Sequence, residues 1–169
     1  MKKIGLISDT HGYLDEKIFS YFEFCDEIWH AGDIGDVKVS EQLSDFKPLR
    51  AVFGNIDGRE IRVMHPEDQQ FNCDGVSVFM THIGGPPGKY FSSLNDKIAS
   101  FKPDLFICGH SHILKVMPDK KHNLLYMNPG AAGKHGFHKM RTILRFQINN
   151  GKIEKLEAIE LGLRGAIEM

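Results

Sequence analysis

This chain of 169 residues, of which 41% are hydrophobic, is long enough for one globular domain that spans residues 1–169 and buries its own core. Its 21 Lys and Arg residues nearly balance its 22 Asp and Glu residues, which argues against a long nucleic acid or an anionic membrane as its partner. The apolar stretch from Ile4 to Ile7 is too short for a signal peptide, and no segment reaches membrane-spanning length, so we expect a cytoplasmic protein.

Strand and helix patterns alternate in the first third of the chain. A buried strand is predicted for KIGLIS, and a helix is predicted for LDEKIFSYFEFC, whose apolar residues recur near helical spacing. Two further strands are predicted for DEIWH and LRAVF, on either side of a helix in VKVSEQLSDF. This βαβαβ order predicts parallel strands joined by right-handed crossovers.

From about residue 68 the pattern changes. A hairpin is predicted for DQQFN and VSVFMT, and a helix at residues 92–101 leads to the strand DLFIC. Four strand segments follow, which are ILKVM, NLLYM, RTILRFQI and KIEKLEAIEL. A parallel half followed by an antiparallel half predicts an α/β fold with two packed sheets and helices outside.

Side chains that can bind a metal follow five of the predicted strands. They are Asp9 and His11 after KIGLIS, Asp33 after DEIWH, Asn55 after LRAVF, His82 after VSVFMT, and His110 and His112 after DLFIC. Because loops at the carboxyl ends of parallel strands converge on one edge of a sheet, we expect these side chains to meet. Each of them alone also fits a turn, a helix cap or a core-edge histidine, but a shared metal site accounts for all five strand ends.

The donor set predicts the kind of site. Two carboxylates, four imidazoles and one amide are too many for a single tetrahedral ion and are enough for two ions that share a bridging carboxylate. Nitrogen and oxygen donors without thiolate suit Mn, Fe, Co, Ni or Zn, and four imidazoles argue against Mg or Ca. Two such ions, about 3.5–4 Å apart, acidify a bridging water and stabilise a phosphoryl group during in-line displacement. The residues therefore predict hydrolysis of a phosphate ester.

The same residues, in this order, resemble the signature of the calcineurin-like metallophosphoesterase superfamily. The matching motifs are DTH at 9–11, GD at 32–33, GN at 54–55, His82 and GHSH at 109–112. The element NPG at 128–130 resembles one in the small single-domain phosphodiesterase subfamily, and the resemblance spans essentially the whole chain. It implies the metallo-dependent phosphatase fold, a two-sheet β-sandwich flanked by helices in α/β/β/α layers.

The resemblance also implies a site and a reaction. One metal would be held by Asp9, His11, Asp33 and His112, and the other by Asp33, Asn55, His82 and His110, with Asp33 as the bridge. The ions would most often be Mn²⁺, with Fe, Zn, Ni or Co as alternatives. The implied reaction is hydrolysis of a small phosphodiester by a metal-bridging hydroxide, with Asp33, Asn55 and His82 as catalytic residues. Since relatives often self-associate, a homo-oligomer is an open alternative.

One position departs from the family pattern. Many members have Gly-Asn-His where this chain has GNI, so Ile56 replaces an imidazole that contacts the phosphate and protonates the leaving group. We therefore expect a modest rate and a preference for good leaving groups. In GKHGFHKMR, His135 and His138 are candidates for a replacement acid and, with Asn55, for substrate binding. The alternative for that segment is a solvated loop.

Two other functions remain as alternatives. A non-catalytic scaffold of the same fold would bind protein partners, but it would not need all seven ligand positions to be filled. A nuclease, as in larger relatives, is disfavoured by the near-neutral charge and by the lack of an added domain. We therefore expect a metal-dependent hydrolase.

Overall fold

Two five-stranded sheets form the centre of the computed structural model, which describes residues 1–165. The strands are β1 (Lys2–Ile7), β2 (Glu27–His30), β3 (Leu49–Ala51), β4 (Asp68–Cys73), β5 (Val76–Thr81), β6 (Leu105–Ile107), β7 (Leu114–Asp119), β8 (Leu124–Pro129), β9 (Met140–Asn149) and β10 (Lys152–Leu163). The helices are α1 (Lys17–Tyr21), α2 (Val37–Phe46), α3 (Arg59–Met64) and α4 (Ser92–Phe101). Within residues 1–165, no helix has the length and apolar character needed to cross a bilayer.

The first sheet has the strand order β10-β9-β1-β2-β3. Strands β1, β2 and β3 pair in parallel, as the βαβαβ pattern predicts. Near the end of the described chain, β9 returns to pair with the free edge of β1 in antiparallel orientation, and β10 pairs with β9. The carboxyl ends of β1, β2 and β3 consequently lie at one edge of the sheet.

The second sheet, with the order β4-β5-β6-β8-β7, shows that the expected antiparallel second half is wrong. Strands β4 and β5 do form the predicted antiparallel hairpin. However, β5, β6 and β8 run parallel to one another. The reason is that α4 lies between β5 and β6, and a helical crossover of this kind joins parallel strands. The final strands, β9 and β10, belong to the first sheet.

Apolar side chains fill three spaces between the layers. Trp29 and Phe146 pack edge to face between the two sheets, with ring centroids 5.8 Å apart. Ile18 of α1 and Leu43 of α2 are buried against the outer face of the first sheet. Leu94 of α4 is buried against the outer face of the second sheet. This is the α/β/β/α order of layers, and the predicted two-sheet fold is confirmed.

Two helices differ from the sequence-based expectation. Helix α1 has 5 residues and is shorter than the predicted helix at residues 14–25. Its start is set by Asp15, whose carboxylate accepts the amide of Lys17 (2.9 Å) and pairs with Arg141 (2.8 Å). Helix α3 was not predicted. It buries only Ile61, so it shows no apolar periodicity in the sequence.

Candidate metal centre

The loops that follow β1, β2, β3, β5 and β6 meet at one end of the sandwich. Within the first sheet, the amide of Asp9 donates to the carbonyl of Gly32 (3.0 Å), which joins the loops after β1 and β2. Within the second sheet, the amide of Gly109 donates to the carbonyl of His82 (3.0 Å). The amide of His110 donates to the carboxylate of Asp9 (3.1 Å) and so connects the two sheets. Predicted ligands from both sheets therefore share one site.

The side chains in this site form two groups of potential metal ligands. The first group is Asp9, His11 and His112, and the second is Asp33, His82 and His110. Within each group, the donor atoms lie within 4.8 Å of one another. Asp33 contacts both groups, because its Oδ2 lies 3.2 Å from Nε2 of His82 and 3.4 Å from Nε2 of His11. The two groups are thus adjacent, with Asp33 between them.

Asn55, the remaining predicted ligand, lies beside the second group. Its Oδ1 is 3.0 Å from Nδ1 of His110. In the first group, Oδ1 of Asp9 lies 3.1 Å from Nε2 of His112 and 3.8 Å from Nε2 of His11. All seven side chains that the sequence singles out as ligands therefore lie together.

Most of these side chains stand on backbone in the left-handed conformation. The φ angles are 53° at Asp9, 46° at His11, 55° at Asp33, 68° at His110 and 62° at His112. Residues other than glycine rarely adopt this conformation, and such residues cluster at active and ligand-binding sites. These sharp turns at the strand ends let short loops present several side chains to one small volume.

Two glycines allow the backbone to approach the carboxylates closely. A Cβ atom at Gly54 would lie 2.0 Å from Oδ1 of Asp33. A Cβ atom at Gly109 would lie 2.6 Å from Oδ2 of Asp9. Both separations are too short for any side chain, so only glycine fits at these positions.

Hydrogen bonds orient Asp33 and His82. The amide of Ile56 donates to Oδ1 of Asp33 (3.0 Å), which leaves Oδ2 facing the imidazoles. Nδ1 of His82 donates to the carbonyl of Ala31 (2.8 Å), which leaves Nε2 as the free donor atom of that ring. An imidazole bound through one nitrogen while the other is held by a carbonyl is the usual arrangement of a metal ligand.

Asp57 supports the site and was not singled out from the sequence. Its buried carboxylate accepts three backbone amides, from Ile34 (3.1 Å), Gly35 (2.8 Å) and Gly54 (2.8 Å). These bonds tie the loop after β2 to the loop after β3. The only available signal was an acidic residue two positions after Asn55, and such a residue also fits an ordinary turn.

The charges in the site stabilise one another. Burial alone raises the pKa of Asp9, but the imidazoles of His11 and His112 more than compensate and hold that pKa well below its usual range. Burial also opposes ionisation of Asp33, yet His82 lowers its pKa. Burial lowers the pKa of His82, but Asp33 and Asp9 outweigh this effect and raise it. Both carboxylates are therefore ionised at neutral pH and supply the negative charge that a bound cation would balance.

The residues in the site fit a pair of divalent ions. Nε2 of His11 and Nε2 of His82 are buried, and within residues 1–165 neither has a partner in hydrogen-bond geometry. Buried polar atoms are nearly always satisfied, so two such nitrogens facing one carboxylate require an explanation. Imidazole and carboxylate donors without thiolate match the ligand preferences of Mn, Fe, Co, Ni and Zn.

Comparison with known proteins identifies the family. The family model of the calcineurin-like phosphoesterase superfamily domain matches residues 1–151. The chain belongs to this superfamily. A probable metallophosphoesterase of Methanocaldococcus jannaschii is 30% identical over 162 residues, which cover 93% of this chain and 81% of that protein. A phosphodiesterase of the same organism is 28% identical over 144 residues, which cover 76% and 82%. The solved structure of a novel archaeal phosphodiesterase has the same fold, with a TM-score of 0.74 at 24% identity over 94% of this chain and 99% of that one.

A cleft of about 530 Å³, here called the central cleft, opens over the candidate metal ligands of this calcineurin-like phosphoesterase. Ile56 lines it and is 47% exposed. His135 also lines it, with its ring stacked on that of His11 at a centroid distance of 4.8 Å. An exposed imidazole therefore lies in the same cleft as the isoleucine that replaces the family histidine.

His138 also lines the central cleft and is half-buried. Its Nε2 donates to the carbonyl of Gly133 (2.8 Å), and its ring stands edge-on to that of His112 at 5.0 Å. Burial lowers the pKa of His138. The structure thus brings both predicted histidines to the cleft, but it engages one nitrogen of His138 with the backbone.

Proposed function

We propose that the protein is a dinuclear metal-dependent phosphodiesterase that hydrolyses small phosphodiesters. The observation that carries this proposal is the position of Asp33 between the two ligand groups, 3.4 Å from His11 and 3.2 Å from His82. A carboxylate shared between two sets of nitrogen and oxygen donors is what a pair of ions needs in order to act on one phosphoryl group.

The proposed cofactors are two divalent transition-metal ions. Mn²⁺ is the first candidate, and Fe, Zn, Ni and Co are the alternatives that the donor atoms also accept. One ion would be held by Asp9, His11, Asp33 and His112, and the other by Asp33, Asn55, His82 and His110. When bound, the ions would acidify a water molecule and balance the charge of the phosphoryl oxygens during in-line displacement.

The side chains of the protein would bind and orient the phosphoryl group. Because Oδ1 of Asn55 faces His110, the amide NH₂ of Asn55 is left to donate to a phosphoryl oxygen. The carbonyl of Ala31 holds the ring of His82, so that Nε2 of His82 stays directed at Asp33. These contacts support binding of the phosphoryl group at the floor of the central cleft.

His135 would protonate the leaving-group oxygen in place of the missing family histidine. It is exposed in the central cleft and stacks on His11, so it can reach an ester oxygen there. His138 is the poorer candidate, because its Nε2 is engaged with Gly133 and its ring is half-buried. Replacement of His135 by alanine would then slow esters with poor leaving groups more than aryl esters, which need no acid.

The proposed preference for a small phosphodiester rests on the name of one relative and on the net charge of this chain. A relative that is 28% identical bears the name phosphodiesterase. The formal net charge of −1 provides no general attraction for a polyanion, since binding to long nucleic acid depends on many Lys and Arg contacts to phosphates.

The decisive experiment is an assay of metal-stripped protein that has been reloaded with each divalent ion in turn. The substrates are an aryl phosphodiester, an aryl phosphomonoester and single-stranded DNA. We expect turnover of the diester, with the highest rate for Mn²⁺ and loss of activity in Asp33→Asn. The control is Asp45→Asn, which alters an exposed carboxylate on α2 and should leave the rate unchanged.

Each alternative predicts a different result. A scaffold would bind ions without turning over any of the three substrates. A nuclease would cleave DNA faster than the aryl diester. Diester turnover that survives both metal removal and Asp33→Asn would contradict the dinuclear mechanism.

A further inference from the structure

A second cleft, of about 280 Å³, lies beside the metal centre and is lined mainly by apolar groups. We call it the apolar cleft. Its apolar lining residues are Ile83, Pro86, Pro87, Phe91, Ile113 and Tyr126. Among residues 1–165, the only Lys or Arg in its lining is Lys115, which is exposed. The metal centre, by contrast, is composed of ionised carboxylates and imidazoles.

The apolar cleft is continuous with the central cleft. Three residues line both of them, namely His110, Ser111 and Ile113. His110 is one of the seven side chains of the candidate metal centre. A phosphoryl group at that centre would therefore have one ester substituent directed along the central cleft and the other within reach of the apolar cleft.

Three large apolar side chains of this cleft are exposed although they lie next to a polar site. Phe91 is 56% exposed, Ile113 is 63% exposed and Ile83 is 36% exposed. Single exposed apolar residues are common on protein surfaces, but a contiguous group in a concave site marks a binding surface. Pockets with apolar walls and a few polar groups at one end are typical of small-molecule sites.

Hydrogen bonds and ring packing on the core side fix the loop that carries Phe91. Tyr126 donates from its hydroxyl to the carbonyl of Gly85 (3.1 Å), and Tyr90 donates to the buried carboxylate of Asp119 (2.8 Å). The ring of Tyr90 also packs on Phe106 at 4.8 Å. Because its neighbour Tyr90 is fixed in the core, Phe91 is presented to the cleft without a large loss of conformational entropy on binding.

We propose that the apolar cleft binds a planar aromatic substituent of the phosphodiester, on the ester group that is not displaced. This inference rests on the proposed phosphodiesterase function and adds the substrate class. A volume of about 280 Å³ suits one ring system rather than a large ligand. Phe91 provides an exposed aromatic surface, the largely buried Tyr126 contributes part of the cleft wall, and the two prolines and two isoleucines provide further apolar walls for the ring.

The test compares two substrates with the same leaving group. Bis(4-nitrophenyl) phosphate and methyl 4-nitrophenyl phosphate release the same nitrophenolate and differ only in the retained ester. We expect the parent protein to prefer the aryl ester about tenfold in kcat/KM. Phe91→Ala should remove most of this preference by raising KM for the aryl ester, with little change for the methyl ester. Ile113→Ala should act in the same direction.

The matched control is Phe24→Ala. Phe24 is 75% exposed and lines a surface depression with Lys3 and Arg145, which contains none of the predicted ligands. This variant should leave both substrates unaffected. Equal kcat/KM for the two substrates in the parent protein, or an equal effect of Phe91→Ala and Phe24→Ala, would overturn the proposal.

A binding measurement separates this proposal from the proposed function. Calorimetric titration of the Mn²⁺-loaded protein with diphenyl phosphate and with dimethyl phosphate needs no turnover. We expect tighter binding of diphenyl phosphate, by about tenfold, and loss of the difference in Phe91→Ala. If the protein bound diphenyl phosphate preferentially but hydrolysed no ester, the proposed aromatic subsite would stand and the proposed phosphodiesterase function would be wrong. Equal affinity for the two phosphates would reject the subsite.

Discussion

At the scale of single residues, the candidate metal centre combines strained backbone with buried charge. Asp9, His11 and Asp33 have φ angles of 53°, 46° and 55°. A left-handed conformation costs on the order of 1–3 kcal/mol for a residue other than glycine. Such conformations persist only where the surroundings impose them. Here the amide of Asp9 donates to the carbonyl of Gly32, the amide of His11 donates to the carbonyl of Asp33, and Gly54 packs closely against the carboxylate of Asp33.

Gly54→Ala tests this dependence on close packing. A methyl group at Gly54 would lie 2.0 Å from Oδ1 of Asp33, so either the carboxylate or the loop must move. We expect affinity for Mn²⁺ to fall at least about tenfold, as it does when groups that orient ligands are altered. Calorimetric titration of the metal-stripped protein measures this affinity.

Gly58→Ala is the control for that substitution. No atom lies within 4 Å of a Cβ placed at Gly58, and this residue has φ −82°, which alanine adopts readily. Affinity for Mn²⁺ should therefore be unchanged. If Gly58→Ala weakened binding as much as Gly54→Ala, steric displacement of Asp33 would not be the cause.

At the scale of elements, Asp15 connects α1 to the first sheet. Its carboxylate accepts the amide of Lys17 at the start of α1 and pairs with Arg141 of β9, and both side chains of the pair are buried. Burial alone raises the pKa of Asp15, but Lys17 and Arg141 more than offset it, so the pKa lies below its ordinary value. One side chain thus positions the helix and neutralises a buried guanidinium.

Asp15→Asn should lower the free energy of unfolding by about 2 kcal/mol at neutral pH, because it leaves the Arg141 charge unpaired. A carboxylate with a lowered folded-state pKa stabilises the fold above its unfolded pKa of about 3.9, and this stabilisation is lost as the pH falls through the folded-state pKa. The difference between parent and variant should therefore shrink as the solution is acidified. Urea denaturation at several pH values measures it.

Asp45→Asn is the matched control for Asp15. This exposed aspartate on α2 makes no ion pair within the described residues. The variant should have the stability of the parent at every pH. A difference for Asp15→Asn that stayed constant down to strongly acidic pH would argue against the ion pair as its source.

At the scale of the whole molecule, the candidate metal centre lies where the two sheets meet. Asp9, Asp33 and Asn55 follow strands of the first sheet, whereas His82 and His110 follow strands of the second. Ions held by both sets would link the sheets at one end of the sandwich. Bound metal should therefore stabilise the whole fold as well as supply the chemistry.

Removal of metal should lower the melting temperature. An ion at 100 times its Kd stabilises the folded state by about 2.7 kcal/mol, which corresponds to roughly 5–10 °C in a domain of this size. Thermal unfolding with Mn²⁺ and with chelator measures the shift. The shift should be much smaller in Asp33→Asn and unchanged in Asp45→Asn. A parent protein with the same melting temperature in both conditions would contradict metal binding at this site.

Local patterns predicted much of this molecule, because strands, turns and ligand types depend on neighbouring residues. The pattern in VKVSEQLSDF predicts helix α2, and the structure has it over the same residues, Val37–Phe46. Position at a strand end was enough to select Asp9, Asp33 and His82, because the carboxyl ends of parallel strands share an edge. The family resemblance likewise follows from motifs that the chain carries in order.

Other features depend on contacts between distant segments, which local patterns do not encode. The length of α1 depends on an ion pair between Asp15 and Arg141, and the place of β9 depends on the free edge of β1. Left-handed backbone at His110 and the support of three amides by Asp57 arise only when separate loops come together. The sequence by itself determined the strands, the donor types and the family. Only tertiary structure decided the distances between donors and the apolar cleft beside them, because these depend on long-range packing of loops from two sheets.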